Sequence, residues 1–187
     1  MAVASGLDAE PLTSDVDVVP MRRRHLRSVL RIEGQVCPRP WTLGLFLSEL
    51  AVGADRCYLV ARAGGLVVGY AGLIVGAGEG HVTTLAVDPA WQRRKVGTRL
   101  LLALTRWGAD NGCEALTLEV RMGNTGAQSL YRRFGFVPAG VRRNYYTESN
   151  EDALIMWAHD VATPAYRTRL AAIAVGIEEI EPAGRTR

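Results

Sequence analysis

The stretch HVTTLAVDPAWQRRKVGT, from His81 to Thr98, decides how this chain is read. His81 to Val87 has a strand pattern, Asp88-Pro89 marks a turn, and a helical pattern starts at Val96. Between turn and helix lies a short loop crowded with Gln92, Arg93, Arg94 and Lys95. A helix opened this way leaves its first amides unpaired and points the positive end of its dipole outward. Phosphate bound there would be held by backbone N–H groups and by guanidinium forks. A solvated connection with a few arginines is the plain alternative.

Outward from this stretch the elements alternate in kind. A short strand is expected at Asp17 to Pro20 and a helix from Arg22, with Leu26, Val29, Leu30 and Glu33 at helical spacing. Cys37-Pro38-Arg39-Pro40 must break that helix, and Thr42 is placed to cap a second one carrying Leu43, Phe46, Leu47 and Leu50. Trp41 sits on the elbow, where packing is favoured over lining a cleft. Arg56 to Ala63 and Leu66 to Val75 read as strands around a Gly64-Gly65 turn. With a Gly-rich turn at Gly76 to Gly80, strands two to four should form an antiparallel meander.

A helix from about Val96 to Asn111 would bury Leu100, Leu101, Leu104 and Trp107, ending at Gly112. In the next strand, Glu114 to Arg121, one face carries Leu116, Leu118 and Val120 and the other Thr117, Glu119 and Arg121. Asn124 can cap a helix bearing Leu130, Tyr131 and Phe134, closed by Gly135. Phe136 to Arg143 and Asp152 to His159 would be the last strands, joined by a loop from Asn144 to Glu151. Leu170, Ile173, Ala174, Ile177 and Ile180 mark an amphipathic helix in the tail.

Composition sets outer bounds. The chain has 187 residues, 48% hydrophobic and 22% charged, which fits one globular domain. A net charge of +3 gives no ground for a nucleic-acid binder, although Arg22-Arg23-Arg24 and the 92–95 loop are local basic patches. Cys37, Cys57 and Cys113 are odd in number and widely spaced, without metal-ligand spacing, so reduced thiols and no metal are expected. No signal peptide and no membrane-length apolar run is visible, which predicts a cytoplasmic protein with no membrane partner.

The order of strand, two helices, three strands, helix, strand, helix and two strands resembles the GNAT superfamily of acetyl-CoA-dependent N-acetyltransferases. LAVDPAWQRRKVGTRLL resembles its CoA motif, Q/R-x-x-G-x-G/A, here Gln92-Arg93-Arg94-Lys95-Val96-Gly97. LEVRMGNTGAQSLYRRFGF (Leu118 to Phe136), VRRNYY (Val141 to Tyr146) and EDALIM (Glu151 to Met156) are similar to the RimI group, which acetylates the N-terminal alanine of a small-subunit ribosomal protein. The resemblance implies an α+β GNAT fold: a twisted, mixed but mostly antiparallel sheet of about seven strands flanked by four helices. The domain would span 16–160, after a disordered leader at 1–15 and before a helical tail at 161–187.

The resemblance also implies roles. Glu119 would be the proton acceptor for the attacking amine, and Tyr131 is the candidate donor to the departing thiolate. By pattern alone a solvated strand carboxylate is the favoured reading of Glu119, and a half-buried core aromatic is a serious one for Tyr131, beside Leu130 and Phe134. Backbone groups of Leu85, Ala86 and Val87 would pair with the pantetheine arm of acetyl-CoA. Arg93, Arg94, Lys95, Val96, Gly97 and Thr98 would hold the pyrophosphate, with Asn124 bonding the arm. Trp41, Arg142, Tyr145 and Tyr146 would shape the acceptor side, with no direct nucleic acid required. Lys95 departs from the motif, which has its first glycine there. Either it takes φ > 0, costing about 1 to 2 kcal/mol, or it keeps an ordinary φ and offers its ammonium to the pyrophosphate. His25, His81 and His159 receive no catalytic role. A GNAT acting on a small amine or internal lysine, and a non-catalytic acyl-CoA-binding module, are the alternatives.

Overall fold

The computed structural model describes residues 16–178. The expected leader at 1–15 and the end of the tail, Ile180 included, lie outside the described residues. A seven-stranded sheet runs β1 (Val16–Pro20), β2 (Arg56–Ala63), β3 (Leu66–Gly76), β4 (Glu79–Val87), β5 (Ala115–Arg121), β7 (Glu151–Ala158), β6 (Val137–Tyr146). All neighbours are antiparallel except β4 and β5. Five helices accompany it: α1 (Leu26–Val36), α2 (Leu43–Ala51), α3 (Val96–Asp110), α4 (Thr125–Arg133) and α5 (Pro164–Glu178). None is long and apolar enough to cross a membrane.

Strand alternation divides the interior into two cores, one on each face. Cys57, Ala61, Val68 and Leu73 face α3, α4 and α5, where they meet Leu100, Leu104, Phe134 and Leu170. Tyr58, Val60, Val67 and Tyr70 face α1 and α2, where they meet Val29, Ile32 and Phe46. Strands β5 and β7 give Leu116, Leu118, Val120 and Met156 to the first core, and β5, β6 and β7 give nothing to the second. Helices α1 and α2 therefore cover only β2 to β4, and among the described residues no helix covers the outer face of β5 and β7 on that side.

Capping follows the sequence closely. Thr42 Oγ1 accepts from Leu45 N at 3.2 Å, and Asn124 Oδ1 accepts from Ala127 N at 3.0 Å. Gly112 and Gly135 stand just past α3 and α4 at φ +83° and +87°, the left-handed cap that glycine adopts without a Cβ clash. Of the expected core of α3, Trp107 is only half-buried.

Two boundaries differ from expectation. The turn before β4 is confined to Ala77 and Gly78, both at positive φ, so Glu79 and Gly80 already pair with β3. The expected 144–151 loop shrinks to 147–150, because β6 continues to Tyr146 and β7 begins at Glu151. Asn144 makes this possible. At φ +49° it forms an irregularity in the ladder, and its N–H donates to Asp152 Oδ1 at 2.8 Å, keeping the strand attached beyond Arg143.

Candidate active site

Strands β4 and β5 stay in register only at Glu79↔Ala115, Gly80↔Leu116 and His81↔Thr117. Beyond these pairs β4 remains bonded to β3 as far as Val87↔Gly69, and β5 to β7 as far as Arg121↔Ala153. Their facing edges carry no ladder from there on. The parting starts beside a bulge, since Gly72↔Thr84 is followed by Leu73↔Val82 and leaves Thr83 as the extra residue. An extra residue turns the strand and sharpens its twist. Gly72 allows it: a Cβ there would come 2.4 Å from the Tyr58 ring and 2.9 Å from Thr83 Oγ1.

Leu85, Ala86 and Val87 lie on the β4 side of this gap and keep β3 on their other edge. The Leu85 and Val87 side chains approach Gly97 beside Leu130, so the gap leads to the start of α3. That start has no side-chain cap. The first amides of the helix, those of Val96, Gly97 and Thr98, have no intrahelical acceptor to reach. Loop 92–95 turns tightly, with Arg93 at φ +64° and Lys95 at +59°. Arg94 lies 4.9 Å over the Trp91 ring, while Arg93 is exposed.

Lys95 thus takes the left-handed conformation, and the alternative of an ordinary φ is excluded. Its ammonium donates to Gly176 O near the end of α5.

Glu119 stands where the strands part. Its side chain is only 8% exposed, with Oε2 3.2 Å from His81 Nε2 and Oε1 3.3 Å from Arg142 Nη2. Arg142 lies 5.6 Å over the Tyr145 ring, and Tyr145 meets Tyr146 edge-on at 5.1 Å. Arg121 stacks on Tyr146 at 3.8 Å and binds Glu148 Oε1 at 2.6 Å, Ser149 Oγ at 2.6 Å and Glu151 Oε2 at 3.1 Å. One guanidinium thereby fastens the β6–β7 loop to the end of β5. Hydrogen bonds from Arg121 hold the Glu148 carboxyl below its ordinary range, and one from Gly123 N does the same for Glu151, helped by Arg121.

Tyr131 lies on α4 in the first core, its ring 5.9 Å from Phe136, whereas Glu119 points to the opposite face of β5. Burial raises the Tyr131 phenol well above its usual range, with nearby Tyr146 adding to the effect. Tyr146, itself pushed up to about 12 mainly by burial, stands near both, since the charge on Glu119 is felt at its hydroxyl.

Trp41 packs on Phe46 at 5.2 Å and on Tyr58 at 6.4 Å. Its N–H donates to Glu33 Oε1 at 2.8 Å, and Cys37 Sγ donates to Glu33 Oε2 at 3.2 Å. A carboxylate only 2% exposed thus fixes the elbow between α1 and α2. Asn124 spends its oxygen on the α4 cap, and Gln128 Nε2 secures the turn before α4 through Arg121 O at 3.1 Å and Met122 O at 2.9 Å.

Sequence reasoning had not placed His81, Arg121, Glu33 or the Glu148–Glu151 pair at the site. Only the 81–117 register could have brought His81 there, and local spacing does not reveal a parallel register. All three cysteines are free, with Cys57 and Cys113 buried and Cys37 half-buried.

Comparison with known proteins gives consistent matches. The family model described as "Acetyltransferase (GNAT) family" matches residues 26–136. The N-alpha-acetyltransferase RimI of Mycobacterium tuberculosis is 37% identical over 155 residues, covering 80% of this chain and 93% of the relative. The ribosomal protein bS18-alanine N-acetyltransferase of Escherichia coli K12 is 35% identical over 133 residues, covering 70% of this chain and 88% of the relative. A crystal structure of the E. coli S18-alanine enzyme superposes with a TM-score of 0.71 at 31% identity, covering 78% of this chain and 94% of that one.

Proposed function

The chain belongs to the GNAT acetyltransferase family, where it is RimI-like, and we propose that it transfers the acetyl group of acetyl-CoA to the N-terminal alanine of a small-subunit ribosomal protein. The observation that carries this reading is the parting of β4 from β5 with Glu119 at its narrow end.

Acetyl-CoA is a substrate here, and the residues present suit it. The unpaired edge at 85–87 offers backbone N–H and C=O groups to an extended pantetheine, as a strand would. The uncapped start of α3 offers amides and a positive dipole to a diphosphate, with Arg93 and Arg94 beside it. A backbone N–H on the same edge can stabilise the oxygen of the attacked carbonyl as negative charge gathers there.

The acceptor amine enters from the open face of β5, between the α1–α2 elbow and the β6–β7 loop. A chain N-terminus has a pKa of about 7.7 to 8.0, so a modest base frees its lone pair. Glu119 takes that proton, directly or through a water, while His81 and Arg142 hold its two oxygens in place. As the amine nitrogen bonds to the carbonyl carbon, the carbon–sulfur bond breaks, Tyr131 gives its phenolic proton to the leaving sulfur, and the second proton shed by the new amide nitrogen passes through water to restore the phenol. Burial keeps that phenol protonated until the desolvated thiolate forms and draws the proton. Tyr145, Tyr146 and Arg142 flank the acceptor, with Trp41 supporting the opposite wall.

The test is acetyl transfer to an N-terminal bS18 peptide, followed by CoA release and mass mapping of the product. Acetyl on the N-terminal alanine, with no reaction of the same peptide blocked at its N-terminus, supports the reading. Transfer only to internal lysine or small amines would replace it, and CoA binding without turnover would mark a non-catalytic module.

A further inference from the structure

We propose that α5 is a brace for the cofactor loop and that Lys95 is the positioning residue joining them; this rests on the reading of loop 92–98 as the diphosphate site. Lys95 is the N-cap residue of α3, and its ammonium bonds to the carbonyl oxygen of Gly176. Gly176 lies near the end of the described part of α5. One side chain therefore joins the start of α3 to the backbone of α5.

The backbone at Lys95 gives this joint a purpose. A residue with a Cβ resists the left-handed conformation that Lys95 holds at φ +59°. A glycine would adopt it freely but could not reach across to α5. The lysine stem fixes from outside the turn that glycine would merely permit. Helix α5 is itself firmly seated, with Tyr166, Leu170, Ile173 and Ile177 buried. Arg167 bonds to Asp110 at the far end of α3 at 2.8 Å. The family match ends at residue 136, before α5 begins, so the brace is built from chain outside the matched region.

If the loop and α5 share this bond, ligand binding at one must be felt at the other, because coupling between sites is reciprocal. Hydrogen–deuterium exchange of the full-length chain with and without CoA tests this. In the wild type, CoA should slow exchange of the amides of residues 175–178 in α5. In Lys95→Met that response should vanish while the rest of α5 exchanges as before. Lys95→Met should also weaken CoA roughly tenfold by calorimetry, the scale of a lost charge-assisted hydrogen bond. Lys95→Arg should recover part of the affinity. No effect of CoA on residues 175–178 of the wild type would overturn the brace, and a weaker Lys95→Met would then place the ammonium on the phosphate alone. A wild type that binds no CoA would instead sink the cofactor-site reading, and the brace with it.

Discussion

His81 Nε2 lies 3.2 Å from Glu119 Oε2, linking the last paired residue of β4 to the strand that leaves it. The bond spans the narrow end of the gap, so it both closes the sheet there and aims the carboxylate. Replacing Glu119 with Gln should lower kcat about 10² to 10⁴-fold, the range for losing a positioned general base. His81→Ala leaves the carboxylate in place with a freer rotamer, and should cost less, roughly tenfold in kcat. Steady-state kinetics of both variants separate the two, since only the His81 variant keeps the Glu119 carboxyl. Equal loss in both would mean that His81 carries the proton itself.

The Tyr131 hydroxyl has no hydrogen-bond partner among the described residues, so Tyr131→Phe removes an oxygen without orphaning a partner. The melting temperature should move by no more than about 2 °C, in line with a loss of well under 1 kcal/mol. Turnover should fall about 10²-fold or more. Calorimetry and steady-state kinetics on one preparation give both numbers, and full activity would remove the phenol from the mechanism.

The β6–β7 loop should be sensitive to acid. The carboxyls of Glu148, Glu151 and Asp152 all lie below their ordinary values, because hydrogen bonds favour their charged forms. A carboxyl lowered by folding stabilises the fold above its unfolded value, and this is lost as pH falls through the folded one. The loop should therefore be held at neutral pH and loosen as pH falls below the ordinary carboxylate range of about 4. Exchange rates at 147–150 should rise there, and in Arg121→Met they should already be high at pH 7. A loop equally protected in that variant would show that Arg121 does not hold it.

Gly72 is a packing position. Gly72→Ala places a carbon against the Tyr58 ring and Thr83 Oγ1, and should destabilise the fold by about 1 to 3 kcal/mol. Denaturant unfolding checks this. Because the contact is with the bulged residue, CoA affinity should fall as well, whereas Gly76→Ala, with open space around it, should leave affinity alone.

Most of the fold was legible because local signals carry it. Thr42, Asn124, Gly112 and Gly135 cap their helices from within a few residues, and two-residue alternation along β5 told which side Glu119 would face. The end of β6 was not legible, since Asn144 reads as a turn residue and only its bond to Asp152, made across the hairpin, keeps the strand going. The environment of Glu119 was hidden for a similar reason. His81 and Arg142 reach it from two other strands, through registers that no local pattern records. Lys95 could be recognised as a departure from a motif, but its partner lies in a helix the motif does not include.

The break between β4 and β5 also acts as a filter. A bare strand edge usually sits at a margin of a sheet, where any sticky polypeptide can zip onto it and start aggregation. Here the bare edges lie in the middle, walled by β3 on one side and β7 on the other. A polypeptide can reach them only by passing between two strands that are each paired on their other side, so the protein keeps unsatisfied backbone away from the sheet's margins.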